Sequence, residues 1–324
     1  MQIIAVSGGV IVKRGVTAIE IGGPRAADLV NTLFNLAGQG EFTTASLIDA
    51  YAAPDRPALR DLIAQLRQRN IFVPSSGAER ADDPLDVFYW HFDLDAERAE
   101  GLMNERRLAV AGTNHIARRL VESLNACGYT AVDLIDDPIL RNPSVPPFGS
   151  AVPAADWCDA PSSVQCLVAT SDNGTQHQLR GWNRFCVERQ LEFFPVLLQD
   201  AVGYVGPLVI PGRTACLECL RARQNSTSDE VRAMREVETG ESSTGSVPAF
   251  HPIAASMLGD IAAFELMRRA VRIPRFDIGT MIEVTLLSSS MTPRRILKIP
   301  RCAVCSALQQ RSEVALTKSL FMVD

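Results

Sequence analysis

Two pairs of cysteines carry the clearest chemistry in the sequence. Cys216 and Cys219 are separated by two residues, as are Cys302 and Cys305, and residues 220–301 lie between the pairs. Each pair directs two sulfurs at one point, and two such pairs supply the four thiolates that a tetrahedral zinc ion binds. Two disulfides or four unrelated buried thiols are the alternatives. We expect structural zinc, because four protein ligands leave no position for a reacting water.

Composition limits the class of protein. A chain of 324 residues that is 47% hydrophobic and 21% charged can form two domains with proper cores. The net charge of -5 argues against a nucleic-acid partner. The first residues do not match an export signal, and no apolar run is long enough to span a membrane, so we expect a cytoplasmic protein with reduced thiols. The remaining cysteines are expected to be buried structural thiols: Cys127, Cys158, Cys166 and Cys186.

Residues 1–75 predict a small first domain of three strands followed by three helices. The strands are rich in β-branched residues and are separated by glycine turns. Apolar residues at helical spacing mark the third helix. This outline is winged-helix-like, but seven basic and six acidic residues among the first 76 give a net charge of only +1. A DNA-binding domain should be far more basic, so we do not expect DNA binding.

A strand–turn–helix–strand pattern opens the second predicted domain, at 106–324, after a linker and helix at 76–105. The first strand ends at Gly112, and the second ends at Asp136 and Asp137. This order is typical of the start of a nucleotide-binding βαβ unit. Gly112 and Asp136 are therefore candidate nucleotide-site residues, and Asp172 follows a later strand.

The turn after the first strand departs from the nucleotide-binding fingerprint. It has one glycine where the fingerprint has three, and Thr113, Asn114 and Ile116 would crowd a phosphate at the helix N-terminus. Asp172 either caps a helix or assists a magnesium ion. Arg141 is a candidate contact for a triphosphate. We do not expect this site to use ATP.

The order of these motifs resembles the ubiquitin-activating-like, or ThiF-like, adenylating fold across residues 84–310. The resemblance rests on the Gly112 turn, Asp136-Asp137, Ser171-Asp172-Asn173, the two cysteine pairs and the apolar helix between them. It implies an α/β protein in which the winged-helix-like α+β domain precedes a Rossmann-type mixed sheet with structural zinc. It also implies a homodimer. In active members an aspartate like Asp136 or Asp137 holds the ribose, and one like Asp172 assists magnesium.

The first domain is similar to the leader-peptide-binding domain, the RiPP recognition element, of ribosomal peptide-natural-product pathways. That similarity implies that a leader adds as a strand to the third strand of the sheet and places apolar side chains beside the third helix. The same apolar residues could simply pack the small core. The implied peptide-binding residues are Val16, Ile19 and Ile21 on the strand and Leu59, Ile63, Leu66 and Arg67 on the helix.

The two domains together resemble the partner protein of YcaO cyclodehydratases, which make thiazole- and oxazole-modified peptides, antibiotics among them. The resemblance implies a non-catalytic subunit that binds the leader and activates a separate YcaO enzyme, which forms azolines from Cys, Ser and Thr. The main alternative is an active ATP-dependent adenylating enzyme that modifies a peptide carboxylate or amide, like the microcin-maturing MccB group. A transcriptional regulator is the third possibility.

Overall fold

The computed structural model describes residues 2–38, 43–49, 51–69, 71, 84–92, 94–159, 163–227, 251–273 and 278–306. The chain divides into two compact units, Met1–Ala99 and Glu100–Asp324. None of the helices within these described ranges is long and apolar enough to cross a membrane.

The first unit contains a three-stranded antiparallel sheet in the order β1-β2-β3. Its strands are β1 (Gln2–Val6), β2 (Gly9–Arg14) and β3 (Thr17–Gly22). Residues alternate in burial along β2 and β3, since only one face of the sheet is covered. β1 and β3 form the two edges of this sheet.

Helices cover the apolar face of this sheet. They are α1 (Ala26–Ala37), α2 (Thr44–Asp49), α3 (Arg56–Gln68) and α4 (Pro84–Trp90). Val12, Leu33 and Leu59 are completely buried in the shared core, and Trp90 of α4 packs into the same core. The segment predicted as a linker therefore contributes α4 to the first compact unit, which extends to Ala99. Residues 76–83, the first part of the predicted linker, lie outside the described residues.

The second unit contains an eight-stranded mixed sheet in the order β11-β10-β9-β8-β7-β4-β5-β6. The five strands from β8 to β6 are parallel, and β9, β10 and β11 add antiparallel pairs. The strands are β4 (Leu108–Ala111), β5 (Val132–Asp136), β6 (Ala151–Pro153), β7 (Cys166–Ser171), β8 (Glu192–Gln199), β9 (Val202–Val205), β10 (Thr280–Thr285) and β11 (Ser290–Arg295).

Helices connect and flank these strands. They are α6 (His115–Ala126), α7 (Ala154–Asp159), α8 (Gln176–Glu188), α9 (Leu217–Thr227) and α10 (Pro252–Ala270), preceded by α5 (Ala96–Asn104). β4 and β7 are buried along their whole length, as expected for central parallel strands covered on both faces. The predicted α/β class, with a small α+β unit before a Rossmann-type mixed sheet, is confirmed.

Some local elements differ from the sequence prediction. Short strand β6 and helix α7 were not predicted, because three and six residues are too few to show a period. The strands of the last hairpin begin at Thr280 and Ser290. Cys127 and Cys158 are half-buried rather than buried. Cys166 and Cys186 are buried, and burial raises the pKa of the Cys166 thiol to about 12, which keeps it protonated.

Candidate functional site

The four paired cysteines come together in the second unit. Their sulfurs all lie within 4.8 Å of one another, and all four residues are buried. The Cys216–Cys219, Cys216–Cys302 and Cys219–Cys305 sulfurs are 4.0, 3.6 and 3.5 Å apart. A zinc ion with four sulfurs at about 2.3 Å in a tetrahedron places them about 3.8 Å apart. The four residues therefore fit a zinc ion, for which they would be the complete ligand set.

Neighbouring groups hold the cysteine cluster in place. Cys216 immediately precedes α9, and Cys302 and Cys305 lie in turns after β11. The backbone N–H of Ile299 donates to the Cys219 sulfur at 3.4 Å. The hydrogen bond between the two sulfurs lowers the pKa of Cys219 and raises the pKa of Cys216.

The turn after β4 is filled by the chain's own side chains. Gly112 has φ +115, and a Cβ there would lie 2.7 Å from the Asn114 Nδ2 atom. Asn114 is completely buried and caps α6, since its Oδ1 atom accepts from Ala117 N at 3.0 Å. Its Nδ2 atom donates to the carbonyls of Leu140 and Thr170, each at 2.9 Å. The volume that a phosphate occupies in a glycine-rich turn is thus taken by an amide.

Asp172 occupies the remaining anion position at the N-terminus of α6. Its Oδ2 atom accepts from His115 N and from Asn142 Nδ2, both at 3.0 Å. Burial raises the pKa of Asp172. Its Oδ1 atom is buried without a hydrogen-bond partner. Asn142 was not predicted to belong to this group. The sequence marks it only as a polar residue that follows shortly after Asp136-Asp137.

Asp136 is paired internally. Arg141 donates to both of its oxygens, through Nε at 3.0 Å and through Nη2, and Thr113 Oγ1 donates at 3.1 Å. The hydrogen bond from Arg141 holds the pKa of Asp136 below its usual value. The structure therefore brings the predicted residues Gly112, Asp136 and Asp172 to one end of the parallel strands. Arg141, the predicted candidate contact for a triphosphate, is engaged by Asp136.

The predicted peptide-binding residues lie on β3 and α3 of the first unit. Ile19, Leu59, Ile63 and Leu66 are buried in its core, Ile21 is half-buried against that core, and Val16 and Arg67 are exposed. β3 has no strand partner on its outer side among the described residues. The backbone N–H of Val16, in the turn before β3, donates to His91 Nε2 at 3.4 Å. The core residues shape the sheet–helix layer, and Ile21 leaves apolar surface at the edge.

The fold is shared with several solved structures. A heterocyclase solved with substrate and cofactor superposes with a TM-score of 0.61 at 16% identity, over 96% of this chain and 39% of that chain. The heterocyclase TruD gives a TM-score of 0.63 at 16% identity, over 96% and 43%. E. coli MccB gives a TM-score of 0.65 at 13% identity, over 94% and 95%.

Because the sequence identity is low in all three comparisons, these similarities establish the fold alone. The chain spans about two fifths of the length of the two heterocyclases and nearly the full length of MccB. No protein-family model and no curated protein sequence matches the chain. The ThiF-like fold is therefore observed.

Proposed function

We propose that the protein is a non-catalytic subunit of a cytoplasmic peptide-modifying system. It binds the leader of a ribosomal precursor peptide through the first unit and activates a separate YcaO cyclodehydratase. That enzyme forms azoline heterocycles from Cys, Ser and Thr. Zinc bound by the four cysteines is structural in this proposal, and the protein is a homodimer.

One observation carries the non-catalytic assignment. The N-terminus of α6, where an adenylating protein of this architecture needs to receive phosphate, is occupied by Asn114 and Asp172. A phosphate there would have to displace a buried amide with four hydrogen bonds and meet a buried carboxylate of the same sign. The shared fold with heterocyclases, one of them solved with substrate and cofactor, supports placing this chain in a heterocycle-forming system.

The open edge of β3 supports leader capture. An edge strand presents unpaired backbone groups that an extended peptide can pair with, and side-chain pockets then give selectivity. Ile21, half-buried beside the core, offers apolar surface at that edge. Homodimer formation is supported by exposed apolar residues at helical spacing on α10: Ile253, Met257 and Phe264.

Leader capture is tested by fluorescence anisotropy with a labelled peptide that matches the leader of the precursor encoded beside the gene. We expect micromolar binding that Ile21→Glu weakens at least tenfold, about 1.4 kcal/mol. Ile4→Glu is the matched control, because Ile4 is an exposed isoleucine on β1, at the opposite edge of the same sheet. Absence of binding by the unmodified protein, or equal loss in both variants, would contradict leader capture at β3.

A second candidate function is ATP-dependent adenylation. It is favoured by the buried, unpartnered Oδ1 atom of Asp172, which could face a cation, and by the nearly full-length match to MccB, a protein solved with ATP. ATP–pyrophosphate exchange in the presence of the precursor peptide distinguishes the two functions. Our proposal expects no exchange above background. Exchange that depends on this protein and disappears in Asp172→Asn would establish the enzyme instead.

A further inference from the structure

An apolar cavity of about 520 Å³ lies in the second unit, beside α8 and the residues that follow β5. Ile139, Ala154, Gly181, Trp182 and Phe185 form much of its wall, and Asp137 and Gln178 are its polar groups. Its volume and mostly apolar lining are those of a small-ligand or side-chain pocket. Gly112, Asp136 and Asp172 do not line this cavity, whereas Asp137, the other candidate for holding a ribose, does.

Asp137 brings a buried carboxylate to this cavity without a positive partner. The residue is 2% exposed. Its Oδ1 atom accepts from Ile139 N at 2.9 Å, and its Oδ2 atom accepts from Gln178 Nε2 at 2.5 Å and Trp182 Nε1 at 2.8 Å. All three donors are neutral, and Asp137 forms no ion pair with any residue that the structure describes. Buried carboxylates are normally compensated by a cation, so the cavity has the charge complementary to a basic ligand.

The wall of the cavity also suits a cation with an apolar stem. Trp182 and Phe185 pack edge to face, with ring centroids 5.6 Å apart, and aromatic faces attract guanidinium and ammonium groups. Arg189 already lies over the Phe185 ring at 4.0 Å. That guanidinium donates to the Cys158 carbonyl at 3.4 Å and is not paired with Asp137. The chain's own packing thus shows that the Phe185 ring accepts a guanidinium.

The wall is held rigid by contacts on another side of α8. Arg180 Nε donates at 2.5 Å to Oε1 of Glu218, which lies between the two cysteines of the first pair. Asn183 Oδ1 accepts from Leu217 N at 3.3 Å. α8 is thereby fixed to the cysteine cluster while Gln178 and Trp182 hold Asp137. A cavity with such preformed walls binds without a large ordering cost.

We propose that this cavity binds an arginine side chain of the precursor peptide, with the stem against Trp182 and Ile139 and the guanidinium directed at Asp137. Arginine suits the site better than lysine, because its planar group is weakly hydrated and stacks on aromatic rings. The peptide source rests on the proposed function, whereas the preference for a guanidinium rests on the cavity alone. The second unit would then contact the peptide at a point separate from the β3 edge.

The test compares two short peptides on the full-length protein by ligand-observed NMR titration. The probes are acetyl-Gly-Arg-Gly-amide and the same peptide with citrulline, which replaces the guanidinium with a neutral group of nearly identical shape. We expect the arginine peptide to bind at least tenfold more tightly, with an affinity that falls as salt is added. Asp137→Asn should abolish this preference.

Gly181→Leu provides a second variant that does not remove the buried carboxylate. A Cβ at Gly181, inside α8, would meet only Gln178 Oε1 at 3.9 Å, so the larger side chain can extend into the cavity. It should abolish binding of both probes while the protein stays folded. It decides the question even where Asp137→Asn unfolds the chain, because Asp137 also holds Trp182.

Three results would overturn the proposal: equal affinity for the two probes, no binding of either, or an arginine preference that survives Gly181→Leu. The outcome is separable from that of leader capture. A protein that binds no leader at β3 but distinguishes arginine from citrulline would refute the proposed function and retain the cavity. A protein that binds the leader at β3 but binds the arginine and citrulline peptides equally would retain the proposed function and refute the cavity proposal.

Discussion

Asp136 ends β5 and Asp172 follows β7, the two strands on either side of β4, yet their surroundings shift the pKa values of the two carboxylates in opposite directions. The hydrogen bond from Arg141 lowers the pKa of Asp136, and burial raises the pKa of Asp172. Each carboxylate is already used inside the chain, by Arg141 in one case and by His115 N and Asn142 in the other.

The two carboxylates should affect stability with opposite pH dependence. Asp172 has a raised pKa in the folded state, so its charge destabilises the fold at neutral pH, and this cost falls as pH drops towards the ordinary value of 3.8. Asp172→Asn should therefore equal or exceed the wild type in unfolding free energy at neutral pH, by up to about 1 kcal/mol. The advantage should shrink on acidification. Urea unfolding of the wild type and the variant at neutral pH and at pH ~4 measures this difference in stability.

Asp136→Asn is the matched control for that measurement. The lowered pKa of Asp136 contributes stability above its ordinary value of 3.8, and this contribution is lost as pH falls below it. The pair is partly exposed, so the variant should lose less than about 1 kcal/mol at neutral pH. If the unfolding free energies of the two variants changed with pH in the same direction relative to the wild type, burial would not control the pKa of Asp172.

Helix α6 packs against α10. The two helices lie close together at Gly259 of α10, where a Cβ would lie 2.8 Å from Ile116 O and 2.9 Å from Leu120 N. Asp260 follows and accepts from Arg119 Nε at 2.8 Å. Since backbone atoms line this contact, α10 cannot accommodate a larger residue there without moving away from α6.

Gly259→Ala should lower the unfolding free energy by about 1–3 kcal/mol, because overpacking against backbone outweighs the gain in helix propensity of about 1 kcal/mol. Gly181→Ala on α8 is the control, since its Cβ meets only Gln178 Oε1 at 3.9 Å and should be neutral or stabilising. Chemical denaturation of both variants provides the comparison. A stabilising effect at both positions would mean that the helices separate without cost.

The cysteine cluster joins parts of the second unit that are far apart in the chain. Cys216 and Cys219 lie at the start of α9, and Cys302 and Cys305 follow β11. A metal bound there would connect the start of α9 to the segment that follows β11. The free energy of metal binding is then also free energy of folding.

Cys302→Ser should reduce bound zinc from about one ion per chain to none and cost several kcal/mol of stability, since structural zinc sites contribute about 10–16 kcal/mol in small domains. Cys158→Ser, at a half-buried thiol outside the cluster, should keep the metal. Elemental analysis together with thermal unfolding measures both effects. If the Cys302→Ser protein were folded, metal-free and as stable as the wild type, the metal would have no structural role.

Features that depend on neighbouring residues follow from the amino-acid sequence alone. The spacing within each cysteine pair, the β-branched strands of the first unit and the apolar strand before Gly112 are local patterns, and short-range sterics and periodicity fix what they form. The glycines missing from the turn after Gly112 likewise indicate a defective phosphate turn, because the effect of a Cβ at those positions is local.

Contacts between groups that are distant in the chain depend on the tertiary fold. Asp172 reaches His115 N because β4 and β7, which are distant in the chain, are adjacent in the sheet, and Asp137 after β5 reaches Trp182 of α8. Trp90, predicted to lie in a linker, enters the core of the first unit. Such contacts depend on chain topology and on close packing, which no periodicity in the sequence encodes, and they decide whether a carboxylate binds a ligand or is satisfied within the protein.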